Sequence, residues 1–227
     1  MSVKLPNIDA CVFDAYATLF DVNSPARSAQ DALGESWRPL ADLWRAKQLQ
    51  YTWLRSLSGR YADFWHATGD ALDFALATLR LEDPALRARL MNLYLTPSLY
   101  PEVSETFARL KTAGMKLAIL SNGTPAMLAA AASNSRIAGL LTAILSVDEV
   151  QIYKPHPSVY NLACTHLNLA AENICFVSSN GWDAYSAKAF GFRVLWCNRN
   201  NQPLERIPET PDAQIATLTE LPPIVLS

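Results

Sequence analysis

The sequence predicts a doubly wound α/β fold, in which helices cover both faces of a parallel sheet, with a small helical-bundle cap inserted after the first strand. Two observations carry this prediction. From about residue 100 onward, helical patterns alternate with short apolar runs, as expected when every parallel neighbour needs a crossover connection. From residue 21 to about 98, three helical patterns follow one another and no strand candidate separates them.

Five apolar runs are predicted as strands. In chain order they are IDACVF (8–13), KLAILS (116–121), TAILS (142–146), NICFVS (173–178) and RVLWC (193–197). Helical patterns lie at 101–114, 124–135, 155–168 and 182–191 in the alternating part, and at 40–57, 60–80 and 84–95 in the insert. We therefore predict a core domain of residues 1–20 and 99–227 and a cap domain of residues 21–98.

Composition and charge narrow the class of protein. Of 227 residues, 50% are hydrophobic and 18% are charged, which is typical of a globular chain with a sizeable core. The net charge is −2 and the pI is about 5.9, so no positive field favours nucleic acid or an anionic membrane surface. No signal segment or membrane span is evident, and we expect a cytoplasmic protein. The four scattered cysteines lack zinc-type spacing, so we expect reduced thiols.

Polar residues stand directly after each of the first four predicted strands. They are Asp14 after the first, Ser121 and Asn122 at the end of the second, Lys154 after the third, and Ser178, Ser179, Asn180 and Asp183 after the fourth. The carboxyl ends of parallel strands lie at one edge of the sheet, and open α/β sheets bind ligands there. We therefore predict one pocket that contains all of these residues.

Each of these residues also has an ordinary structural explanation. Asp14 could cap a turn, Asn122 with Gly123 is a common turn pair, and Asp183 could stabilise a helix N-terminus. For any one residue the structural explanation is the better one. Their coincidence at four strand ends reverses that preference and favours a functional site.

Lys154 provides the strongest physical argument, because its predicted position sets its ammonium group facing Asp14. At ~4 Å and an effective dielectric constant near ~20, such a pair interacts by about 4 kcal/mol before desolvation is counted. This interaction would keep Asp14 ionised in a poorly hydrated pocket. An ionised, partly desolvated carboxylate is a nucleophile.

The pattern resembles the four motifs of the haloacid dehalogenase superfamily. Asp14 with Thr18 four residues on resembles the first motif, Ser121 the second, Lys154 the third and the segment SSNGWDA the fourth. The resemblance spans the predicted core and implies a Rossmann-like fold with Asp14 as the nucleophile.

Two departures from the superfamily's phosphatases are informative. Those enzymes carry a second acid two residues after the nucleophile, where this chain has Tyr16, and hold magnesium with acidic residues in a motif where it has Ser178, Ser179 and Asn180. A departing halide needs no proton, and a monoanionic substrate needs no divalent metal to shield it. We therefore expect chemistry without a metal or any other cofactor.

The segments VFDAYATLFDV, LWRAKQLQYTWLRSL, LAILSNG, YKP and FVSSNGWDA are similar to the L-2-haloacid dehalogenase branch. This resemblance implies that Asp14 displaces halide from an L-2-haloacid with inversion, and that water hydrolyses the aspartyl ester to a D-2-hydroxy acid. Ala17 stands where the branch usually has glycine, and its methyl group is expected to restrict the turn beside Asp14. Ala46 stands where relatives often have a polar residue, with an expected effect on substrate size.

The resemblance also implies roles for individual residues. The implied catalytic residues are Asp14, Thr18, Lys154, Ser178, Asn180 and Asp183, of which Asp183 orients or activates the water. The implied substrate-binding residues are Tyr16, Arg45, Leu49, Phe64, Ser121, Asn122, Tyr160 and Trp182. Taken alone, Arg45 equally fits a solvated arginine on a helix.

Three readings remain open at this point. The first is a dehalogenase whose partners are a small anionic haloacid and a halide ion. The second is a phosphatase of the superfamily that recruits another acid, and the third is a non-catalytic protein that binds small acids. The resemblance further implies a homodimer without indicating which surface would form it.

Overall fold

The computed structural model of the chain describes residues 3–226, so residues 1, 2 and 227 of the predicted core domain lie outside the described residues. Its strands are β1 (Ala10–Phe13), β2 (Lys116–Ser121), β3 (Ala143–Ser146), β4 (Ile174–Ser178), β5 (Arg193–Cys197) and β6 (Ala213–Ile215). All neighbours are parallel, in the order β3-β2-β1-β4-β5-β6. The predicted doubly wound α/β fold is confirmed.

The helices fall into two groups along the chain. Between β1 and β2 lie α1 (Ser24–Arg27), α2 (Gln30–Leu33), α3 (Trp37–Leu57), α4 (Phe64–Leu79), α5 (Pro84–Leu95) and α6 (Val103–Thr112). After β2 lie α7 (Pro125–Asn134), α8 (Pro157–Leu167), α9 (Gly181–Phe190) and α10 (Pro222–Val225). The first five helices form the cap, and α6 begins the regular alternation of helix and strand.

The central strand β1 is buried on both faces because it has a neighbour on either side and helices above and below. Its Val12 pairs with Ala118 of β2 and with Phe176 of β4. All four of its residues are fully buried, as expected for a continuous apolar run inside a parallel sheet. The backbone N–H of Asp14 still bonds to Val177 O, at 3.0 Å, so the carboxylate emerges directly from the sheet.

The sequence did not predict β6. It has three residues, Ala-Gln-Ile, of which only Ile215 is buried, so it has neither the length nor the apolar run that marks the other strands. It exists because β5 offers it a free edge for pairing. The four-residue helices α1, α2 and α10 were missed for the same reason of length.

In the cap, α3 packs along α4 through a stripe of residues four positions apart. On α3 the stripe is Leu40, Trp44, Gln48 and Thr52, all buried, and on α4 it includes three fully buried alanines, Ala67, Ala71 and Ala75. Small side chains let the two helix backbones approach closely. The side chains of Asp63 and Asp83 cap α4 and α5 by accepting from backbone N–H groups.

The cap is docked on the core beside Lys154. The Tyr61 hydroxyl, in the loop between α3 and α4, donates to the Asp148 carboxylate. The Tyr153 hydroxyl donates to Ala62 O at 2.6 Å, and the two tyrosine rings lie 5.1 Å apart. This contact therefore fixes the residue that immediately precedes Lys154.

Two further features concern the described residues alone. None of the helices within residues 3–226 has the length and apolar character needed to cross a membrane. The four cysteines are free thiols, of which Cys11, Cys175 and Cys197 are buried and Cys164 is half-buried.

Candidate active site

The carboxylate of Asp14 lies at the carboxyl edge of the sheet and is surrounded by hydrogen-bond donors. Its Oδ2 accepts from the Thr18 hydroxyl at 3.0 Å and from Asn180 Nδ2 at 2.8 Å. Its Oδ1 lies 3.2 Å from Lys154 Nζ. Asp14 is only 5% exposed, so these donors replace the water that would otherwise solvate its charge.

Lys154 forms a buried bridge between two carboxylates. Its Nζ lies 2.9 Å from Asp183 Oδ2 as well as 3.2 Å from Asp14 Oδ1, and the residue is 1% exposed. Burial alone would lower the pKa of Lys154, but the charges of Asp14 and Asp183 outweigh it and raise the pKa above its usual value. The ammonium group therefore stays charged at neutral pH.

Asp183, in the first turn of α9, is the more deeply buried of the two carboxylates, with no exposed surface. It accepts from Lys154 Nζ and, at 2.8 Å, from the Tyr160 hydroxyl. Burial raises the pKa of Asp183 above its ordinary value, although Lys154 opposes this shift. Once ionised, it is a stronger base than an exposed carboxylate.

The turn after β1 brings Thr18 back to Asp14. The Thr18 hydroxyl donates to Asp14 and accepts from the backbone N–H of Ser179 at 2.8 Å. The Ala17 N–H bonds to Phe20 O at 2.7 Å, and Ala17 has a φ of +73°, in the left-handed region. The expected restriction of this turn by Ala17 thus has a physical form, since a Cβ is disfavoured at that φ.

The end of β4 positions Asn180. Its backbone N–H donates to the Ser178 hydroxyl at 3.2 Å, and its Nδ2 donates to Tyr16 O at 3.0 Å in addition to Asp14. Within the described residues, the Asn180 side chain hydrogen-bonds Asp14 but not the Asp183 carboxylate, whereas Asn180 O accepts from the backbone N–H of Asp183 at 3.1 Å. Ser178 therefore supports Asp14 through Asn180 and makes no direct hydrogen bond to either carboxylate in that part of the chain.

On the cap side, Arg45 of α3 reaches the core. Its Nη2 lies 3.3 Å from Asn180 Oδ1, which connects the guanidinium group to the donor set of Asp14. The ring of Tyr16 packs against Phe64 and Tyr94, with centroids 5.5 and 5.4 Å away. Burial raises the pKa of Tyr16 well above its usual value, so this phenol is a poorer acid than a free tyrosine.

Within residues 3–226, the remaining predicted substrate-binding residues make no hydrogen bond to Asp14. Asn122 Oδ1 accepts from the backbone N–H of Lys154 at 3.1 Å, and Ser121 Oγ accepts from Gly123 N at 3.2 Å. Leu49 is half-buried one turn after Arg45 on α3. Trp182 packs edge-on against Trp53, with ring centroids 5.4 Å apart.

A groove of about 1010 Å³ borders the site between α3 and the helices α8 and α9. Lys154, Tyr160 and Trp182 line it, together with Tyr153 and Trp53. It gives the buried carboxylates a neighbouring open space. Ala46, in contrast, is exposed on α3.

The residues around Asp14 do not fit the magnesium ion that is held by phosphatases of the superfamily that this sequence resembles. Both oxygens of Asp14 already accept from Thr18, Asn180 and Lys154, and the residues at the positions of the phosphatases' metal-holding acids are Ser178, Ser179 and Asn180. Magnesium requires oxygen ligands at its coordination positions. Within residues 3–226, no group of three or more His, Cys, Asp or Glu side chains could hold a metal ion.

Sequence reasoning missed two sets of residues around this site. Arg199 donates to Thr18 O at 2.8 Å and pairs with Glu102, and no local pattern indicates this. Gln48 hydrogen-bonds Arg45 from inside the cap. The sequence does contain an indication of this residue, because Gln48 interrupts the buried stripe of α3 at a position expected to be apolar.

Comparisons with known proteins agree on one family. The model of the haloacid dehalogenase-like hydrolases matches residues 8–191. (S)-2-haloacid dehalogenase 4A of Burkholderia cepacia is 45% identical over 220 residues, 96% of this chain and 95% of the relative. (S)-2-haloacid dehalogenase 1 of Pseudomonas sp. (strain CBS-3) is 46% identical over 220 residues, 96% and 97% of the two chains.

A solved structure extends the comparison to a covalent complex. It is the L-2-haloacid dehalogenase of Xanthobacter autotrophicus with chloropropionic acid covalently bound. Its TM-score is 0.87 and its identity is 38%, covering 95% of this chain and 97% of that chain.

We predict that Ala17→Gly raises the free energy of unfolding by about 0.5–1 kcal/mol. The left-handed backbone costs an alanine about 1–2 kcal/mol, and glycine removes this cost. The greater conformational freedom of glycine in the unfolded chain offsets about 0.5–1 kcal/mol of the resulting gain in stability. Urea unfolding measures the difference. Ala15→Gly is the matched control, because Ala15 is buried and has no positive φ; it should lower stability. An Ala17→Gly variant less stable than the parent contradicts the strain.

We predict that Lys154→Met lowers the free energy of unfolding by about 3–5 kcal/mol at about pH 7, because two buried carboxylates lose their shared cation. Because the pKa of Asp183 is raised in the folded protein, the folded protein binds this proton more tightly than the unfolded chain does. The free energy of unfolding therefore falls as the pH rises from the ordinary carboxyl pKa towards the raised pKa of Asp183. Removing Lys154 widens that pH range, so the deficit should shrink at about pH 4.5.

The control for this variant is Lys188→Met. Lys188 pairs with Asp212, and their side chains are 25% and 12% exposed, so the loss should stay within about 1 kcal/mol. Equal losses for the two variants at both pH values, measured by denaturant unfolding, contradict the buried bridge.

Proposed function

The chain belongs to the haloacid dehalogenase-like hydrolases, and from this membership we propose that it is an (S)-2-haloacid dehalogenase. It hydrolyses short-chain L-2-haloalkanoic acids to D-2-hydroxy acids. The observation that carries the proposal is the buried arrangement of Asp14, Lys154 and Asp183, with Tyr16 in place of a second acid. This arrangement suits a leaving group that departs without a proton.

In the first step, a carboxylate oxygen of Asp14 attacks carbon 2 of the substrate from the side opposite the halogen. A carbon–oxygen bond forms as the carbon–halogen bond breaks, and the halide leaves with the bonding electron pair, so the configuration inverts. The product is an aspartyl ester. Lys154 keeps the nucleophile oriented and balances its charge, while Thr18 and Asn180 hold the other oxygen.

In the second step, water attacks the Asp14 carbonyl carbon and gives up a proton to Asp183. Burial raises the pKa of Asp183 and so increases its strength as a base. The donors Thr18 and Asn180 stabilise the negative oxygen that develops on Asp14. When the tetrahedral intermediate collapses, the alkoxide leaves and takes the proton from Asp183, which releases the D-2-hydroxy acid. The hydroxyl proton left on the Asp14 carboxyl group then passes to solvent, which regenerates the Asp14 carboxylate.

The substrate's carboxylate and halogen need separate partners. Ser121 and Asn122, with the backbone N–H groups of their turn, receive the carboxylate. Arg45 lies across the site on the cap, beside Asn180, and attracts the halide or the acid. Tyr16, Leu49, Phe64 and Trp182 supply apolar surface, and Tyr160 holds Asp183.

We also propose that the cap comprises residues 21–98 and the core residues 1–20 and 99–227, with the substrate bound between them. A homodimer and a cytoplasmic location stay predictions of the sequence. A phosphatase is the weaker alternative, because Tyr16 stands where a phosphatase has its second acid, and Ser178, Ser179 and Asn180 stand where it has acidic residues that hold magnesium.

We predict that Asp14→Ala lowers chloride release from (S)-2-chloropropionate by at least about 10⁴-fold while circular dichroism and the melting temperature show an intact fold. Asp9→Ala, an exposed aspartate ahead of β1, should retain full activity. Chloride release by the wild type should be unaffected by a chelator and absent with the (R)-enantiomer. Phosphate release from a phosphate ester that a chelator abolishes, or no release from either substrate, contradicts the proposal.

A further inference from the structure

Gln48 places a polar amide group in the apolar interior of the cap. It lies on α3 three residues after Arg45, is 1% exposed, and occupies the stripe that packs against α4. A buried amide without hydrogen-bond partners destabilises the folded state. Its position therefore calls for an explanation in terms of the groups it contacts.

Hydrogen bonds at both ends fix the orientation of the Gln48 amide. The Thr68 hydroxyl donates to Phe64 O at 2.6 Å, so it must accept from Gln48 Nε2, which lies 2.7 Å away. At the other end, Arg45 Nη1 can only donate, and it lies 2.8 Å from Gln48 Oε1. Two independent constraints thus assign nitrogen to the Thr68 side and oxygen to the Arg45 side.

Tyr94 of α5 completes the network from a third helix. Its hydroxyl lies 3.0 Å from Gln48 Nε2 and 3.1 Å from Gln48 Oε1. Tyr94 is buried, and burial raises its pKa. It therefore remains a neutral hydroxyl group that can donate to or accept from the amide. We call Gln48, Thr68 and Tyr94 the amide network.

We propose that Gln48 is a positioning residue for Arg45, and that it must be a neutral acceptor. This inference rests on the proposed function, in which Arg45 meets an anionic substrate. The amide network fixes Gln48, Gln48 Oε1 holds one arm of the guanidinium group, and the other arm reaches Asn180 Oδ1 at 3.3 Å. The arginine is thereby oriented toward the donor set of Asp14.

The absence of charge on Gln48 matters as much as its position. An arginine side chain loses rotamer entropy when it is held in one orientation, so a fixed acceptor lowers the cost of holding it over the site. A glutamate at position 48 would hold it equally well, but its charge would pair with Arg45 and weaken the attraction for an incoming anion. It would also set a second acceptor against the Thr68 hydroxyl, which already donates to Phe64 O. Glutamine orients the cation without neutralising it.

The alternative is a purely structural Gln48 that only satisfies Thr68 and Tyr94 inside the cap. The two roles differ in measurable ways. A structural residue affects the melting temperature, and its loss adds independently to a change at Arg45. A positioning residue affects KM, and its loss has little further effect once Arg45 is replaced.

The experiment compares Gln48→Glu and Gln48→Met with Gln50→Glu in chloride release from (S)-2-chloropropionate. Gln50 is the matched control, because it lies exposed on the same helix and pairs with Lys47. We expect Gln48→Glu to raise KM at least about 10-fold and Gln48→Met to raise it about 3- to 10-fold, with Gln50→Glu unchanged. In an Arg45→Lys background, Gln48→Met should raise KM less than about twofold further. A KM for Gln48→Glu within about twofold of the wild type, or full additivity with Arg45→Lys, overturns the inference.

Two further measurements keep the test decisive. If both Gln48 variants fail to fold, Tyr94→Phe decides, since removing one hydroxyl group from the amide network should still raise KM by about 2- to 5-fold, and an unchanged KM overturns the inference. If the wild type releases no chloride, the proposed function fails on its own. Calorimetric binding of D-lactate then tests Gln48: loss of binding in Gln48→Glu supports the inference, and equal or absent binding in both proteins overturns it.

Discussion

The ammonium group of Lys154, buried between Asp14 and Asp183, is the interaction on which the rest of the site depends. Two carboxylates this deeply buried would repel each other and favour protonation, and neither a nucleophile nor a base would then be available. One cation at 3.2 and 2.9 Å solves both problems. The kind of leaving group is indicated by Tyr16, which stands where a phosphatase of the superfamily has its second acid.

The fold supplies this arrangement by combining precise strand ends with a separate helical layer. Asp14 follows the central strand β1, and Asp183 lies in the first turn of α9, which follows the neighbouring strand β4. The sheet therefore sets the distance between the two carboxylates. Lys154 comes from the connection after β3, where Tyr153 is anchored to the cap through Ala62 O. The cap thus positions the residue next to Lys154 and also brings Arg45 to Asn180.

The sequence predicted the parts of the structure whose signals are local. Continuous apolar runs marked five strands, and the rule that parallel strands end at one edge brought Asp14, Lys154 and Asp183 together. What it could not predict depends on packing between distant segments. The Asn122 side chain accepts from the Lys154 backbone 32 residues further along the chain, and Gln48 meets Tyr94 across 46 residues. Such contacts follow from how helices pack, which residue order alone does not specify.

A single turnover in heavy-oxygen water, with enzyme in excess over (S)-2-chloropropionate, tests the central claim most directly. Because water attacks the enzyme's ester carbonyl, mass spectrometry of the peptide that contains Asp14 should show one heavy oxygen in its carboxylate. The hydroxy acid released in that turnover should carry only ordinary oxygen, taken from Asp14. Heavy oxygen in the product with none in Asp14 would mean that water displaces the halide directly, and the role assigned to Asp14 would be wrong.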